Sequence, residues 1–318
     1  MTAEELKEGG GFLPTPKWKK SFQLYDKGPW RELTAAAIRR AEPNDISNYP
    51  MPDILCLQEV ESMDALRLFN EKNLDNHYKY QILIDSNDPR RIDVGLLSNS
   101  EIKSIITHMY EKSESDNKSL LFSRDCLEIT FKITNTKDLT VYINHLKSKF
   151  VNPNLKPQKR EEQVAEANKL RLQQSRKVIQ LVSNRFKNDK FETENFVVLG
   201  DFNDSPDSPC LKPLLHETSR MHNVVLRLDP HDRWTYWYDR KNIASQIDYI
   251  LLSPSLDGNS SSKPYIERRG ISNKIKRFSY LNEKKQENKI EWNFPRFQDV
   301  SEKYEASDHC PVFFELQV

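Results

Sequence analysis

Carboxylates, one amide and two imidazoles stand at the ends of, or within, apolar strand-like runs in five separate parts of the sequence. These residues are Glu59, His145, Asp201, Asn203, Asp248, Asp308 and His309. Carboxylate oxygens bind hard divalent cations such as Mg²⁺ or Mn²⁺, while imidazole and amide groups can bind a phosphate or position a water. If the fold gathers them in one cleft, they have the chemistry of a metal-dependent phosphoester-cleaving site.

Two of these clusters follow buried strands. Glu59 comes directly after DILCLQ, where its carboxylate could hold a divalent cation, and the ordinary alternative is a solvated acid at a strand end. In VVLGDFNDSP, Gly200 permits a sharp turn and presents Asp201 and Asn203 two positions apart, on one side of an extended chain. A plain turn rich in Asp and Asn is the alternative there.

The other three clusters contain the imidazoles. Asp308 and His309 precede the last strand in ASDHCPV, where a hydrogen-bonded structural His is the alternative. Asp248 lies inside the apolar run SQIDYILLS, where an acid is costly to bury unless an imidazole pairs with it and fixes the tautomer. His145 ends a strand in YINHLKSK, and the lysines after it suit an anionic ligand, although a lone His is more often structural.

Composition bounds the class of protein. The 318 residues are 37% hydrophobic and 30% charged, as in a soluble globular protein with a sizeable core. A net charge of +1 gives no global attraction to nucleic acid or membrane. No C-x-x-C pair is present, and Cys56, Cys126 and Cys310 are predicted to be buried thiols.

The start of the sequence has no basic and apolar leader, and no apolar run reaches the roughly 20 residues that cross a bilayer. The expectation is therefore an intracellular protein if the N-terminus is complete. A secreted protein is expected instead if upstream sequence is missing.

Periodicity predicts an irregular arm over residues 1–29 and one domain over 30–318. Helices are predicted at Trp30 to Arg40, stopped by Pro43, and at Pro157 to Lys187, with core-facing Val164, Ala167, Val178, Leu181, Val182 and Phe186 and a solvated Lys/Arg-rich face. Strands are predicted at 53–58, 78–84, 92–98, 102–109, 120–133, 139–146, 195–200, 233–238, 246–252 and 311–317.

Strand 53–58 is continuously apolar, as in a central strand covered on both faces. Residues 254–307 are predicted to be polar and irregular, with SLDGNSSSKP as an exposed loop and NEKKQENK as a mobile or inserted segment. The aromatic run Trp234, Tyr236, Trp237 and Tyr238 has two interpretations, core packing of alternate members and a base-stacking surface.

In this order, DILCLQEVE, NHLKSK, LGDFND, SQIDYILLS and SDHCPV resemble the endonuclease/exonuclease/phosphatase superfamily, which includes deoxyribonuclease I. The resemblance implies a four-layered α/β sandwich with two packed mixed β-sheets and a Mg²⁺ cofactor. It makes Glu59 the principal metal ligand, with Asp308 assisting at the metal or at His309. It makes Asp201 the group that activates or aligns the attacking water, with Asn203 beside it. It also makes Asp248 the residue that orients His309 on the scissile phosphate, and His145 a phosphate-binding or proton-donating group.

The resemblance also implies a first strand bearing an Asn, which is not found here, so the first strand is expected to be missing. The expected function is a metal-dependent nuclease, active as a monomer on nucleic acid. A phosphatase, a lipid phosphodiesterase and a catalytically impaired binding protein are the alternatives. The signature Cys-Asp-Arg of the inositol-phosphate branch is absent around Asp248, and DSPDSP after Asn203 is unlike the abasic-site enzymes.

Overall fold

The protein is described by a computed structural model over residues 28–41, 50–238, 242–275, 277–281, 287–291 and 294–318. The greater part of the predicted N-terminal arm, the predicted helix stop at Pro43 and much of NEKKQENK lie outside these residues. No helix in the described ranges is both long and apolar enough to cross a membrane.

The helices are α1 (Trp30–Arg39), α2 (Met63–Asn73), α3 (Pro157–Arg185), α4 (Lys190–Thr193), α5 (Lys212–Leu215) and α6 (Pro254–Asn259). The strands of the first half are β1 (Ile54–Val60), β2 (Tyr80–Leu83), β3 (Asp93–Ser98), β4 (Glu101–Ile106), β5 (Cys126–Lys132), β6 (Asp138–His145) and β7 (Phe196–Asp201). Those of the second half are β8 (His222–Asn223), β9 (Tyr236–Tyr238), β10 (Ile243–Ser245), β11 (Asp248–Leu252), β12 (Tyr265–Ile266), β13 (Arg277–Leu281), β14 (Glu287–Glu291) and β15 (Val312–Phe313).

A six-stranded mixed sheet in the order β4-β5-β6-β7-β11-β8 forms the centre of the molecule. Strands β6 and β7 run parallel, because the long helix α3 carries the chain back between them, and the other neighbours are antiparallel. Along β5 the side chains alternate, so that Leu127, Ile129 and Phe131 face one core while Cys126 faces another. The sheet is therefore buried on both faces.

Four layers follow from these two cores. One face of the six-stranded sheet packs on α3 through Val178 and Val182. The other face packs on the sheet β1-β3-β2, whose outer face is covered by residues of α1 and α2. The predicted four-layered α/β sandwich is confirmed, and both faces of β1 are covered as its apolar sequence indicates.

The remaining strands form two smaller sheets, β14-β13-β10-β9 and β12-β15. The prediction that residues 254–307 are irregular is therefore wrong, since α6, β12, β13 and β14 lie there. The SLDGNSSSKP segment begins within a helix because Ser253 caps it and the fully buried Leu256 anchors it. The polar composition of this short helix is typical of a loop, so the sequence did not predict it.

Three further predictions are corrected in detail. Helix α2, which follows the N-cap Ser62, was not predicted. Val164 does not face the core and is 43% exposed, because the first turns of α3 extend beyond the packed layer. The Lys/Arg-rich face of α3 is not wholly solvated, since Arg171 is fully buried. The thiols of Cys126, Cys210 and Cys310 are buried, and Cys56 is half-buried.

Candidate active site

Three neighbouring strands place their terminal polar residues in one row. In the parallel pair β6 and β7, His145 lies opposite Asp201, and in the antiparallel pair β7 and β11, Asp201 lies opposite Asp248. The imidazole Nε2 of His145 is 3.4 Å from the Oδ2 of Asp201. Sheet register therefore brings together three residues that are separated by 56 and 47 positions in the sequence.

Gly200 allows the strands to approach at this point. Its φ is +128°, a conformation that residues with a side chain rarely adopt, and an added Cβ would lie 1.9 Å from the carbonyl oxygen of Asn144 on β6. Gly200 lies within β7 and not in the turn after it. The glycine thus permits the close contact between the two strands that carry His145 and Asp201.

Asn203 holds the carboxylate of Asp201 from the following turn. Its backbone N–H donates to Asp201 Oδ1 at 2.7 Å, and its Nδ2 donates to Oδ2 at 2.8 Å and to the carbonyl oxygen of Leu146 at 3.1 Å. The φ of Asn203 is +55°, which Asn adopts more readily than other residues with side chains. The two residues meet through a turn and not through the extended chain that spacing predicted.

His309 is held against Asp248. Its Nδ1 is 3.1 Å from both carboxylate oxygens, and the hydroxyl of Thr235 donates to Oδ2 of Asp248 at 2.7 Å. Backbone hydrogen bonds fix the segment around His309, because Cys310 N donates to the carbonyl of Thr235 and Trp237 N to that of Asp308. Thr235 was not singled out from the sequence, where one Thr in an aromatic run carries no signal.

Glu59 and Asp308 are exposed, and in the described ranges no side-chain hydrogen bond or ion pair joins them to these residues. Glu59 lies where the pairing of β1 with β3 shifts register between Leu57 and Val60, and its φ is +58°. Such β-bulges redirect a side chain and recur beside active sites. Glu59 nevertheless acts on the site electrostatically, since its charge is among the causes that raise the pKa of Asp201.

The five polar residues gathered at this sheet edge are here named the site cluster: His145, Asp201, Asn203, Asp248 and His309. Burial is the main cause of the raised pKa of Asp201; the charge of His309 opposes the shift, while Asp248 adds to it. Burial lowers the pKa of His309, but the charge and hydrogen bond of Asp248 outweigh it and raise this pKa to about 10. The imidazole of His309 therefore carries a positive charge at neutral pH.

His145 differs from His309 in its charge. Burial, followed by the nearby charges of Arg124, His309 and Arg90, holds the pKa of His145 well below its usual range. The side chain is 3% exposed and neutral at pH 7. Its contact in the structure is with Asp201, and the phosphate-binding role implied by the resemblance stays a prediction.

A second set of buried charges supports the loops that follow β6 and β7. From α3, Arg171 donates through Nε to Asp204 Oδ2 at 2.9 Å and through a second nitrogen to the carbonyl of Lys147 at 2.6 Å. Lys149 forms an ion pair with the other oxygen of Asp204. Arg171 was missed in the sequence because it stands among other basic residues of a helix, where only burial distinguishes it.

Arg124 holds the backbone next to the site in place through hydrogen bonds. It donates to Asp88 at 2.8 Å and to the carbonyl of Leu146 at 2.8 Å, the same oxygen that binds Asn203. Asp88, Arg124, Lys149, Arg171 and Asp204 are here named the bracing cluster. They tie three loops to the ends of β6 and β7, and so fix the backbone beneath the site cluster.

The donor atoms suit a divalent cation. One polar side-chain atom each from Asp201, Asp248 and His309 lie within 4.8 Å of one another in the described ranges. Because the ring of His309 is charged, the two carboxylates are the members of this group that would bind the ion. The raised pKa of Asp201, to which the charges of Asp248 and Glu59 contribute, shows that acids are crowded here. A cation would relieve this repulsion. The assignment of Glu59 and Asp308 as metal ligands stays a prediction.

Comparison with known proteins identifies the family and the fold. A family model described as the Endonuclease/Exonuclease/phosphatase family matches residues 11–318, which begins ahead of the match expected from residue 30. No curated protein matches the sequence.

Several solved structures share the fold. A mutant beta toxin of Staphylococcus aureus with bound magnesium ions has a TM-score of 0.53 and 16% identity, with coverage of 91% of this chain and 93% of the toxin. Sphingomyelinase C of Streptomyces griseocarneus has a TM-score of 0.51 and 14% identity, covering 89% and 90%. Truncated TDP2 of Caenorhabditis elegans has a TM-score of 0.50 and 16% identity, covering 89% of each chain. At these identities the likeness concerns the fold alone.

Proposed function

The chain belongs to the endonuclease/exonuclease/phosphatase family, whose members are phosphoesterase hydrolases, and we propose that it is a metal-dependent phosphodiester hydrolase acting on nucleic acid. The observation that carries the proposal is the buried Asp201, held by Asn203 and lying among the ligand atoms of Asp248 and His309. Each of these polar groups is costly to bury, so their collection at one sheet edge points to a site that does chemistry.

Mg²⁺ is the proposed cofactor, and Glu59 and Asp308, with the oxygens of the site cluster, are the groups that would hold it. When bound, the ion supplies positive charge that stabilises the charge developing on the phosphate. Oxygen-rich surroundings favour Mg²⁺ or Mn²⁺ over ions that prefer sulfur.

Asp201 is the proposed base. Asn203 fixes both carboxylate oxygens, so the group is oriented before a substrate arrives. Its raised pKa makes the carboxylate a better proton acceptor than an ordinary Asp. In this role Asp201 aligns the attacking water and accepts its proton.

His309 is the proposed phosphate contact. Because its Nδ1 is bonded to Asp248 and the ring is charged, it can donate a hydrogen bond through Nε2 to a phosphate oxygen. Asp248 thereby fixes both the orientation and the charge of the imidazole. Thr235 in turn fixes Asp248.

Basic residues beside His145 support nucleic acid as the substrate. The charge of Arg90 lowers the pKa of both His145 and Lys147, which places Arg90 near the end of β6. Lysine and arginine side chains at such a position bind the phosphates that flank the cleaved bond. The near-neutral whole-chain charge leaves this local feature as the electrostatic support for nucleic acid.

The test is hydrolysis by purified protein of single-stranded DNA, plasmid DNA, RNA, sphingomyelin, a generic phosphodiester and a generic phosphomonoester, with Mg²⁺ or with EDTA. We expect cleavage of a nucleic acid that requires the metal and falls by about 10²–10⁴-fold in Asp201→Asn. Asp138→Asn is the matched control, because this acid on the same sheet pairs with Lys103 away from the site.

The outcomes separate the alternatives. Metal-dependent cleavage of sphingomyelin alone would replace nucleic acid by a lipid, and release of phosphate from a monoester alone would indicate a phosphatase. Undiminished cleavage by Asp201→Asn would show that the site is wrong. Failure to cleave any substrate would favour a binding protein without catalytic activity.

A further inference from the structure

Tyr236 lies directly beside the proposed phosphate-binding residue. It forms a backbone bridge with His309 across neighbouring segments, and the two ring centroids are 4.8 Å apart with an interplanar angle of 51°. The side chain is half-buried. A phosphate bound by His309 would therefore have this phenol ring as an immediate neighbour.

Burial and the charges of the site influence the pKa of Tyr236. Burial and then the charge of Asp308 are the largest causes that raise the pKa of Tyr236 to about 12, and Asp201 and Glu59 contribute. The phenol is therefore neutral at physiological pH and does not repel a phosphate. The identity of the perturbing groups also places Tyr236 on the side of the cleft where both predicted metal ligands act.

Tyr238 continues the aromatic surface toward solvent. As residues i and i+2 of one strand, Tyr236 and Tyr238 share a face of β9. Their rings are stacked at 20° with centroids 6.5 Å apart, and Tyr238 is 37% exposed. By contrast, Trp234 and Trp237 are buried in the core. The aromatic run therefore divides into two core indoles and two phenols that face outward.

We propose that Tyr236 and Tyr238 form a stacking subsite that binds a nucleobase attached next to the scissile phosphate. The stacking subsite rests on the proposed function, since it names the part of the substrate that binds beside the proposed catalytic residues. Every base has a π-face, so such a subsite selects for nucleotides without selecting a sequence. Because Tyr236 contacts His309, the base it holds belongs to a nucleotide joined to the cleaved phosphate.

The experiment compares two short single-stranded DNAs, one with every base present and one with abasic residues on both sides of a single cleavable phosphodiester. The measured quantity is the ratio of kcat/KM for the two. We expect Tyr236→Ala to lower this ratio by about tenfold, within the range of base stacking on an aromatic side chain. Tyr236→Trp should keep the ratio, and Tyr238→Ala should lower it less.

Tyr110 provides the matched control. It is 70% exposed and lines a separate cavity with His108 and Lys177, so Tyr110→Ala should leave the ratio unchanged. An equal loss on both substrates in Tyr236→Ala would overturn the stacking subsite and leave the hydrolase intact. Retention of the ratio in both tyrosine variants would overturn it as well.

A binding measurement keeps the two proposals distinguishable. The affinities of the base-bearing and abasic DNAs are measured by fluorescence anisotropy with the Asp201→Asn protein in Mg²⁺, alone and combined with Tyr236→Ala. Preference for the base-bearing DNA that disappears with Tyr236→Ala would support the subsite even if no hydrolysis is found. Equal affinity for both DNAs in the protein with Tyr236 intact would reject it.

Discussion

The site cluster and the bracing cluster are adjacent and polar, and both contain buried acids, but these acids have different partners. In the bracing cluster Asp88 and Asp204 are each bonded to arginine. In the site cluster Asp201 and Asp248 pair with imidazoles, and the ion pairs of the described ranges include no lysine or arginine for either. Arginine keeps its charge at every physiological pH, whereas the charge of an imidazole depends on its surroundings, so the acids of the site cluster are the ones whose charge balance a bound cation or substrate can change.

The largest expected effect separates two histidine–carboxylate pairs that look alike. His309→Gln should lower the rate of hydrolysis by about 10²–10⁴-fold, because it removes the charged group at the phosphate. His108 also bonds a buried acid, Glu128, at 3.0 Å, but Arg185 lies 3.1 Å from that acid. His108→Gln should therefore leave activity within a few-fold. A loss of equal size in both variants would remove the distinction between the two kinds of pair.

The next effect is on stability and concerns the bracing cluster. Arg171→Met should lower the free energy of unfolding by about 3–5 kcal/mol, since it leaves Asp204 buried without its arginine. Urea denaturation measures the change. The control is Arg176→Met on the same helix, where the side chain is exposed and the expected change is within about 0.5 kcal/mol.

This prediction has a clear point of failure. If Arg171→Met unfolds with a midpoint close to that of Arg176→Met, Asp204 does not depend on Arg171 and the bracing role is wrong. Partial compensation by Lys149 would show as an intermediate value that grows when Lys149→Met is added.

A third, smaller effect tests whether Mg²⁺ binding stabilises the folded protein. Mg²⁺ at about 100 times its Kd should stabilise the protein by about 2.7 kcal/mol, because only the folded chain gathers the acids. Glu59→Gln should reduce the stabilisation by Mg²⁺. Arg171→Met should leave it unchanged in the molecules that remain folded. Thermal unfolding with and without Mg²⁺ gives both values. A gain that survives in Glu59→Gln would contradict its role as principal ligand.

The same contrast explains what the sequence could predict. Asp201, Asn203, Asp248 and His309 stand at or near strand ends in recognisable motifs, and the family resemblance that those motifs carry implied the layers that bring the strand ends together. No sequence motif marks the residues of the bracing cluster. Arg171 and Arg124 are ordinary basic residues until the packing buries them, and burial depends on contacts between segments far apart in the chain.

One wrong prediction and one open interpretation have a similar physical cause. The helix α6 was read as a loop because composition outweighed a single cap and one buried leucine. The aromatic run was open to two interpretations because alternation along a strand places residues on faces but does not say which face meets solvent. Trp234 and Trp237, three positions apart, are both buried, since β9 begins only at Tyr236.

The smallest expected effect concerns pH in the metal-free protein. The ordinary pKa of His309 is 6.5 and that in the folded protein is about 10, so the charged ring stabilises the fold below pH 6.5, and this contribution is lost as the pH rises from 6.5 to about 10. In Asp248→Asn the pKa should fall by at least about one unit, which corresponds to about 1.4 kcal/mol. NMR titration of the ring signals measures this pKa. The control is Asp257→Asn, which removes an acid that pairs with Arg227 and not with His309.

The stability advantage of the wild type over Asp248→Asn should shrink along the same pH range, because both proteins then hold a neutral imidazole. A pKa of His309 that is unchanged in Asp248→Asn would mean that burial and the other acids, and not this pairing, set the charge of the site.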